Sequence, residues 1–294
     1  YRRILLDIHA SRSAVDRFKQ IFRFRPRHLK PVLPGVEEPR TGLSMGESTE
    51  LIAKEWGIQR DHQDELAYRS HKNAAAAAEA GWYDDLIMPF NDVGKDNNVR
   101  PDTTLDKLAS LKPVFDRSGA GTMTAGNSTP LTDGAAAVLM ASEEWARQKS
   151  LPVIAYLTFG RVAAVDFLNE EGLLMAPAYA VSDMLEQADL RLQDFDFYEI
   201  HEAFAAQTLA TLKAWESDEF CRDKLGRSEA MGSIDRERMN TKGGSIAIGH
   251  PFAATGARII AALAKLLHEK GSGRGLISVC TAGGMGVSAI MEAA

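Results

Sequence analysis

Residues 251–294 read PFAATGARIIAALAKLLHEKGSGRGLISVCTAGGMGVSAIMEAA. PFAATGARIIAALAKLLHEK has apolar residues at helical spacing and a proline at its head, where the missing N–H costs nothing, so it predicts an amphipathic helix opened by Pro251. GLISVCTAGGMGVSAIMEAA then predicts two strands about a glycine turn. Helix, strand, turn and strand in one tail point to an α/β domain.

The same alternation runs upstream. VIAYLTFGRVA is strand-like, APAYAVSDMLEQADL is helical with Pro177 in its first turn, and DFDFYEIHEAFAAQTLATLKAWE passes from strand to helix near His201. Such alternation argues for layers of helix on sheet. Residues 1–118 have a different texture, with helical signals joined by irregular chain. MGESTELIAKEWGIQRDHQDELAYRSHKNAAAAAEAGW predicts two helices: one stopped by Gly57, the other capped by Asp61 and running to Gly81. Residues 83–118, with Pro89, Pro101 and Pro113, predict extended loop. Residues 119–146 hold a Gly/Ser/Thr/Asn loop and then AAAVLMA, the pattern of a strand buried on both faces.

Composition bounds the rest. The chain of 294 residues, 45% hydrophobic and 25% charged, can build a proper core in one or two domains. Two cysteines make no disulfide framework, which predicts a reducing, cytoplasmic setting. There is no apolar run of membrane-spanning length and no signal-peptide pattern at the start. The net charge of −6 hides a basic segment, because residues 1–30 carry nine Lys/Arg against Asp7 and Asp16. Ile4, Leu5, Ile8, Val15, Phe18, Ile21 and Phe22 recur there near helical spacing. A basic amphipathic helix of this kind suits an anionic surface or ligand; alternatively, its apolar stripe packs on a partner domain and its charges are solvated.

Three segments offer chemistry. In GGSIAIGHPFAATGAR (243–258), Pro251 at the first helical position places His250 at the N-cap, where the helix dipole favours a neutral imidazole. His250 is then either a simple cap or a base, and the small residues around it leave room for a ligand. In HEAFAAQ (201–207), His201 sits at a strand-to-helix junction, where α/β proteins place ligand contacts. It could orient a water or face solvent; no companion residues stand at metal-ligand spacing, so no metal is expected. Cys280 ends a strand before Thr281-Ala282-Gly283-Gly284. A free cysteine is commonly a small buried hydrophobe, but a glycine turn exposes N–H groups that can hold an oxyanion, and a thiol beside a neutral histidine can trade protons with it.

Taken in order, TAGNSTPLTDGAAAV (124–138), HEAFAAQ, GGSIAIGHPFAATGAR and CTAGGMG, together with MGESTELIAKEWGIQRDHQDELAYRSH (45–71), resemble the thiolase family over almost the whole chain. The resemblance implies a layered αβαβα fold and thiolytic cleavage of 3-ketoacyl-CoA by CoA, giving acetyl-CoA and a shortened acyl-CoA, as in fatty-acid β-oxidation. It implies coenzyme A as substrate and no cofactor. His250 would activate a nucleophilic cysteine and help bind the thioester oxygen, and Cys280 would be the acid/base at carbon two of the acetyl unit. The N–H of Ala282 would supply half of an oxyanion hole, and Thr129, Ala203, Phe204 and Leu173 would line the CoA and acyl site.

Two departures stand out. Where most thiolases have asparagine before the EAF glutamate, holding a water in the first oxyanion hole, this chain has His201. That is similar to the thiolase subunit of trifunctional fatty-acid oxidation complexes, as is GLLMAPAYA (172–180). A homodimer or higher oligomer, a hydratase/dehydrogenase partner subunit and peripheral membrane contact through residues 1–30 are the expected partners; nucleic acid is not. The family's nucleophile motif also has no match here, since Cys221 lies in the charged ESDEFCRDKLG. The expectation is a thiolase with its N-terminal half largely missing: a loop domain over 1–118, a strand and loop over 119–146 returning to that half, and a C-terminal domain over 147–294, inactive alone. A non-catalytic acyl-CoA-binding or partner subunit is the competing expectation. A ketoacyl synthase relative would lack Cys280.

Overall fold

The structure, a computed structural model, describes residues 2–11, 13–26, 35–169 and 171–294. The chain forms two compact units, Tyr1–Val36 and Glu37–Ala294.

The first unit is a helical pair, α1 (Arg2–Ala10) and α2 (Ala14–Phe22). Ser13 caps α2 by accepting the Asp16 N–H, and Arg23 pairs with Asp7 of α1 at 3.4 Å. The helical spacing of the apolar residues is realised, and Leu5, Val15, Phe18, Ile21 and Phe22 are exposed. Arg12, Arg27 and Lys30 of the basic segment lie outside the described residues.

The second unit opens with α3 (Met45–Glu55), closed into a reciprocal capping box by Ser44 and Glu47, and α4 (Arg60–Glu79). Gly57, at φ 59°, breaks the chain between them as expected. The cap of α4 is Gln59 rather than Asp61, which lies inside the first turn, where its charge still favours the helix N-terminus. The loop over 83–118 contains one short helix, α5 (Leu105–Ala109), capped by Thr104.

AAAVLMA departs from expectation. Among the described residues it joins no strand ladder, and Leu139 and Met140 are 78% and 59% exposed. A short apolar run marks a segment able to be buried in a sheet; it cannot supply the sheet.

After α6 (Glu143–Gln148) come β1 (Ala155–Ala164), α7 (Ala176–Ala188), β2 (Phe197–Ile200), α8 (Ala205–Trp215), α9 (Asp218–Asp223), a 3-10 turn at Arg236–Arg238, α10 (Ser245–Ile248), α11 (Thr255–Lys270), β3 (Arg274–Thr281) and β4 (Met285–Ala293). The strands form one mixed sheet in the order β1-β4-β3-β2. β3 and β4 are an antiparallel hairpin about the expected glycine turn, where Gly283 (φ 80°) and Gly284 (φ 72°) occupy left-handed backbone. β2 joins β3 in parallel, pairing Ile200 with Ser278.

Both faces of β3 are covered, whereas the edge strand β1 is largely exposed. α11 packs Ile259, Leu263 and Leu267 against Ile277 and Met291, while Leu276, Cys280 and Ile290 face the larger core shared with α7 and α8. Side-chain alternation along β3 assigns these two faces. Gly286 has a packing reason: a Cβ there would run into the backbone at Ala176–Pro177, so its absence lets α7 sit close to the hairpin.

Candidate active site

The site forms where β2 and β3 end. The His201 N–H extends the parallel ladder by donating to the Ser278 carbonyl at 2.8 Å, which sets His201 beside the strand end that carries Cys280. Asn240 grips the same segment: its Oδ1 accepts the Ile200 N–H and its Nδ2 donates to the Ile200 carbonyl, each at 2.9 Å, and to Glu202 at 2.6 Å.

Glu202 is a buried junction. It accepts the Ser70 hydroxyl of α4 at 2.7 Å and the Ile246 N–H of α10 at 3.3 Å. Burial raises its carboxyl above the usual range despite these donors. The paired glycines follow from this crowding. A Cβ on Gly244 would strike the Glu202 carboxylate, and one on Gly243 (φ 89°) would lie 2.8 Å from the Ala74 backbone.

Segment 124–131 is stitched across the same place. Thr129 donates its N–H to the Ala203 carbonyl at 3.0 Å and its hydroxyl to the Ser245 carbonyl at 2.6 Å. Asn127 accepts the Ala205 N–H on its carbonyl, and its side chain holds the Thr124 N–H and Asp64. Leu131 bridges to His250.

These supports bring the two histidine rings into contact, with centroids 4.2 Å apart and planes tilted by 50°. His201 is buried rather than solvent-facing. Its Nδ1 lies 2.8 Å from Ser245 Oγ, and Ser245 Oγ accepts from Arg258 at 2.8 Å. Its Nε2 is buried with no partner among the described residues. Burial, then the His250 ring and the Arg258 charge, hold His201 well below the ordinary imidazole range.

His250 is half-buried, with Nδ1 2.7 Å from Thr255 Oγ1, and burial followed by Arg258 brings its pKa down to about 4. It is neutral, as expected, but for a different reason. Residues 251–254 form a turn, with Ala254 donating to the Pro251 carbonyl, and α11 starts only at Thr255. His250 is therefore not the N-cap, and desolvation takes the part assigned to the dipole.

Cys280 is buried on β3 opposite Gly286, and burial pushes its thiol up to about 12. No hydrogen bond joins it to either histidine among the described residues. Leu173, Ala203 and Cys280 belong to one apolar cluster, against which Phe204 packs. Ala282 lies exposed in the turn two residues beyond Cys280. Cys221 is remote from this chemistry; its buried thiol meets the Ala214 and Trp215 carbonyls at 3.5 Å. Among the described residues no group of three or more His, Cys, Asp or Glu could hold a metal.

Ser245, Arg258, Glu202 and Asn240 were not singled out from the sequence. Arg258 carries no signal there, because a helix opened by Pro251 puts it beyond the first turn, and only the start of α11 at Thr255 brings it close to the positive end of the dipole. Beside Glu202 a small open depression lies among His62, Arg69, Asn73, Arg236 and Asn240, and neither histidine of the pair lines it.

Family models match along the chain: the thiolase N-terminal domain over residues 14–144 and the thiolase C-terminal domain over 151–293. Sequence of both domains is present, and the expectation that the N-terminal half is largely missing finds no support. The chain is 48% identical over 296 residues to a 3-ketoacyl-CoA thiolase of Yersinia pestis (strain Pestoides F), covering 99% of this chain and 67% of that protein. The 3-ketoacyl-CoA thiolase of Yersinia pseudotuberculosis serotype O:3 (strain YPIII) matches to the same extent. Among solved structures, the Bacillus anthracis acetyl-CoA acetyltransferase superposes with a TM-score of 0.75 at 34% identity, over 92% of this chain and 68% of that one. Human mitochondrial 3-ketoacyl-CoA thiolase, solved in complex with CoA, gives 0.76 at 31%, over 88% and 61%. Proteins of this kind act on acyl-CoA and CoA without a metal or other cofactor. With both domain models matched and the two histidines gathered at the strand ends, the chain belongs to the thiolase family.

Proposed function

We propose that this protein serves thiolytic cleavage of 3-ketoacyl-CoA in fatty-acid oxidation, and that His201, His250 and Cys280 handle the acetyl unit. The packed pair of neutral histidines at the β2 and β3 ends carries the reading. Neutral imidazoles can offer N–H groups to a thioester oxygen as charge develops on it. Their low basicity keeps them from taking a second proton, so they stay neutral donors.

The buried thiol of Cys280 stays protonated at neutral pH, which suits a general acid. A cysteine thiolate attacks carbon three of the substrate, and the bond between carbons two and three breaks. The electron pair passes to acetyl-CoA as an enolate, which takes the Cys280 proton at carbon two. The Cys280 thiolate then takes the proton of incoming CoA, whose sulfur receives the acyl group and frees the first cysteine. That first cysteine is neither of the two here: Cys221 is a packed filler and Cys280 holds the other role.

The flanking assignments fit this reading. Residues 1–118 act as the loop domain, 119–146 as the strand returning to an N-terminal sheet, and 147–294 as the catalytic C-terminal domain. Thr129, Ala203, Phe204 and Leu173 line the acyl-CoA path, and the Ala282 N–H serves the second oxyanion. Exposed Leu139 and Met140 suit burial in an oligomer or against a hydratase/dehydrogenase partner. Exposed Phe18 and Phe22, set among Arg17, Lys19 and Arg23, suit an anionic membrane surface. Two free cysteines suit the reducing cytoplasm; among the described residues no helix is long and apolar enough to cross a membrane.

Peptide mapping by mass spectrometry after incubation with a long-chain 3-ketoacyl-CoA tests the division of roles. Neither cysteine should carry an acyl thioester, and no free acetyl-CoA should accumulate. An acyl group on Cys280 would overturn the assignment.

A further inference from the structure

His201 has two ring nitrogens in unlike surroundings. Nδ1 meets Ser245 Oγ at 2.8 Å; Nε2 is buried and meets nothing among the described residues. A neutral imidazole carries one proton, so its other partner decides which nitrogen presents a donor.

The proton count around Ser245 is closed. Its hydroxyl has one proton to give, and Arg258 can only donate, which it does at 2.8 Å. If His201 Nδ1 also donated, the buried hydroxyl would receive two donors while its own proton had no acceptor. The consistent arrangement is Arg258 donating to Ser245 and Ser245 donating to Nδ1. Charge agrees with this, because a proton on Nδ1 would point along a chain ending in a guanidinium. Ser245 is itself fixed, since its carbonyl accepts the Thr129 hydroxyl at 2.6 Å and the Gly249 N–H at 2.8 Å.

We infer that Arg258 and Ser245 form a relay that locks His201 in the Nε2–H tautomer, so that its unpartnered Nε2–H is held ready as a donor to the thioester oxygen beside His250. Ser245 and Arg258 are thus positioning residues. Arg258 is steadied by Glu199, 4.0 Å away on β2. The relay explains how a histidine can stand at a place where a side-chain amide, with its fixed donor, would otherwise serve: the serine and arginine remove the choice of tautomer.

The tautomer rests on the hydrogen bonds alone; what the donor meets rests on the proposed thiolase chemistry. Nitrogen NMR of the histidine-labelled chain at neutral pH separates the two, with the His201 signals assigned by their loss in His201→Asn. A protonated Nε2 and an unprotonated Nδ1 are expected. Ser245→Ala should move both signals toward tautomer averaging, and Ser245→Thr, which keeps the hydroxyl, should restore the wild-type pattern. Solvent-deuterium uptake at carbon two of acetyl-CoA should fall about tenfold in Ser245→Ala, less than the full loss of an oxyanion donor. A proton on Nδ1 in the wild type, or an unchanged tautomer in a folded Ser245→Ala, overturns the relay. The expected tautomer without any deuterium uptake leaves the relay standing and sinks the thiolase role of the donor.

Discussion

His201 and His250 pack ring against ring at 4.2 Å; burial lowers the readiness of both to take a proton, with a shared Arg258 adding to it in each and the His250 ring adding to it in His201. The pair is one neutral unit at physiological pH. Neither ring should titrate between pH 6 and 8; His250 should take up a proton near pH 4 and His201 well below the ordinary imidazole range, as read by ring-proton NMR.

The same shifts set the acid limb of stability. His71 and His250 both fall to about 4 in the folded chain, while an unfolded histidine titrates near 6.5. Their contribution is fully present above pH 6.5 and is lost as pH falls through about 4, where the unfolded state binds more protons. Glu199, raised to about 7 by burial, works oppositely: its contribution is whole below about 4.5 and lost as pH rises through 7. With three depressed histidines, counting His201, against Glu199 and Glu202, the urea midpoint should drop between pH 6.5 and 4.5.

Glu202 should matter for stability more than its distance from the surface suggests. Glu202→Ala leaves the Ser70 hydroxyl, the Asn240 amide and the Ile246 N–H without their acceptor. A loss of about 3 kcal/mol is expected from denaturant unfolding, at about 1–3 kcal/mol for each buried group left unpaired and some relaxation. Glu202→Gln, which keeps an acceptor, should lose less.

Gly243→Ala should destabilise the chain by about 2–4 kcal/mol. It combines a left-handed backbone at φ 89° with a methyl group 2.8 Å from the Ala74 backbone, which cannot swing aside as a side-chain tip can. Gly256→Ala, where a Cβ meets open space, is the control and should be neutral or better in melting experiments.

The sheet and its helices were legible because each element carries its own period: β1, α7, α8, β3 and β4 all fall where the pattern placed them. The start of α11 was misread because Pro251 is as suited to a turn before a helix as to its first residue. AAAVLMA was misread because its burial depends on a partner surface that period alone does not contain. His201, His250 and Cys280 were legible as candidates, since they interrupt small or apolar runs, and the fold packs the two histidine rings together. Ser245, Glu202 and Asn240 were not: their roles arise from bonds between separate segments of the chain, such as Ser70 to Glu202.

The central claim is that His201, His250 and Cys280 bind an acetyl thioester as its enolate and move the carbon-two proton through Cys280. Deuterium uptake into the methyl group of acetyl-CoA, followed by mass spectrometry in heavy water, needs no acylated cysteine and reads that step alone. The account predicts uptake above buffer that rises with pH as the thiolate fraction grows, a loss of at least about a hundredfold in Cys280→Ala, and a smaller loss in His250→Asn. Uptake unchanged in Cys280→Ala, or none in the wild-type chain, would contradict it.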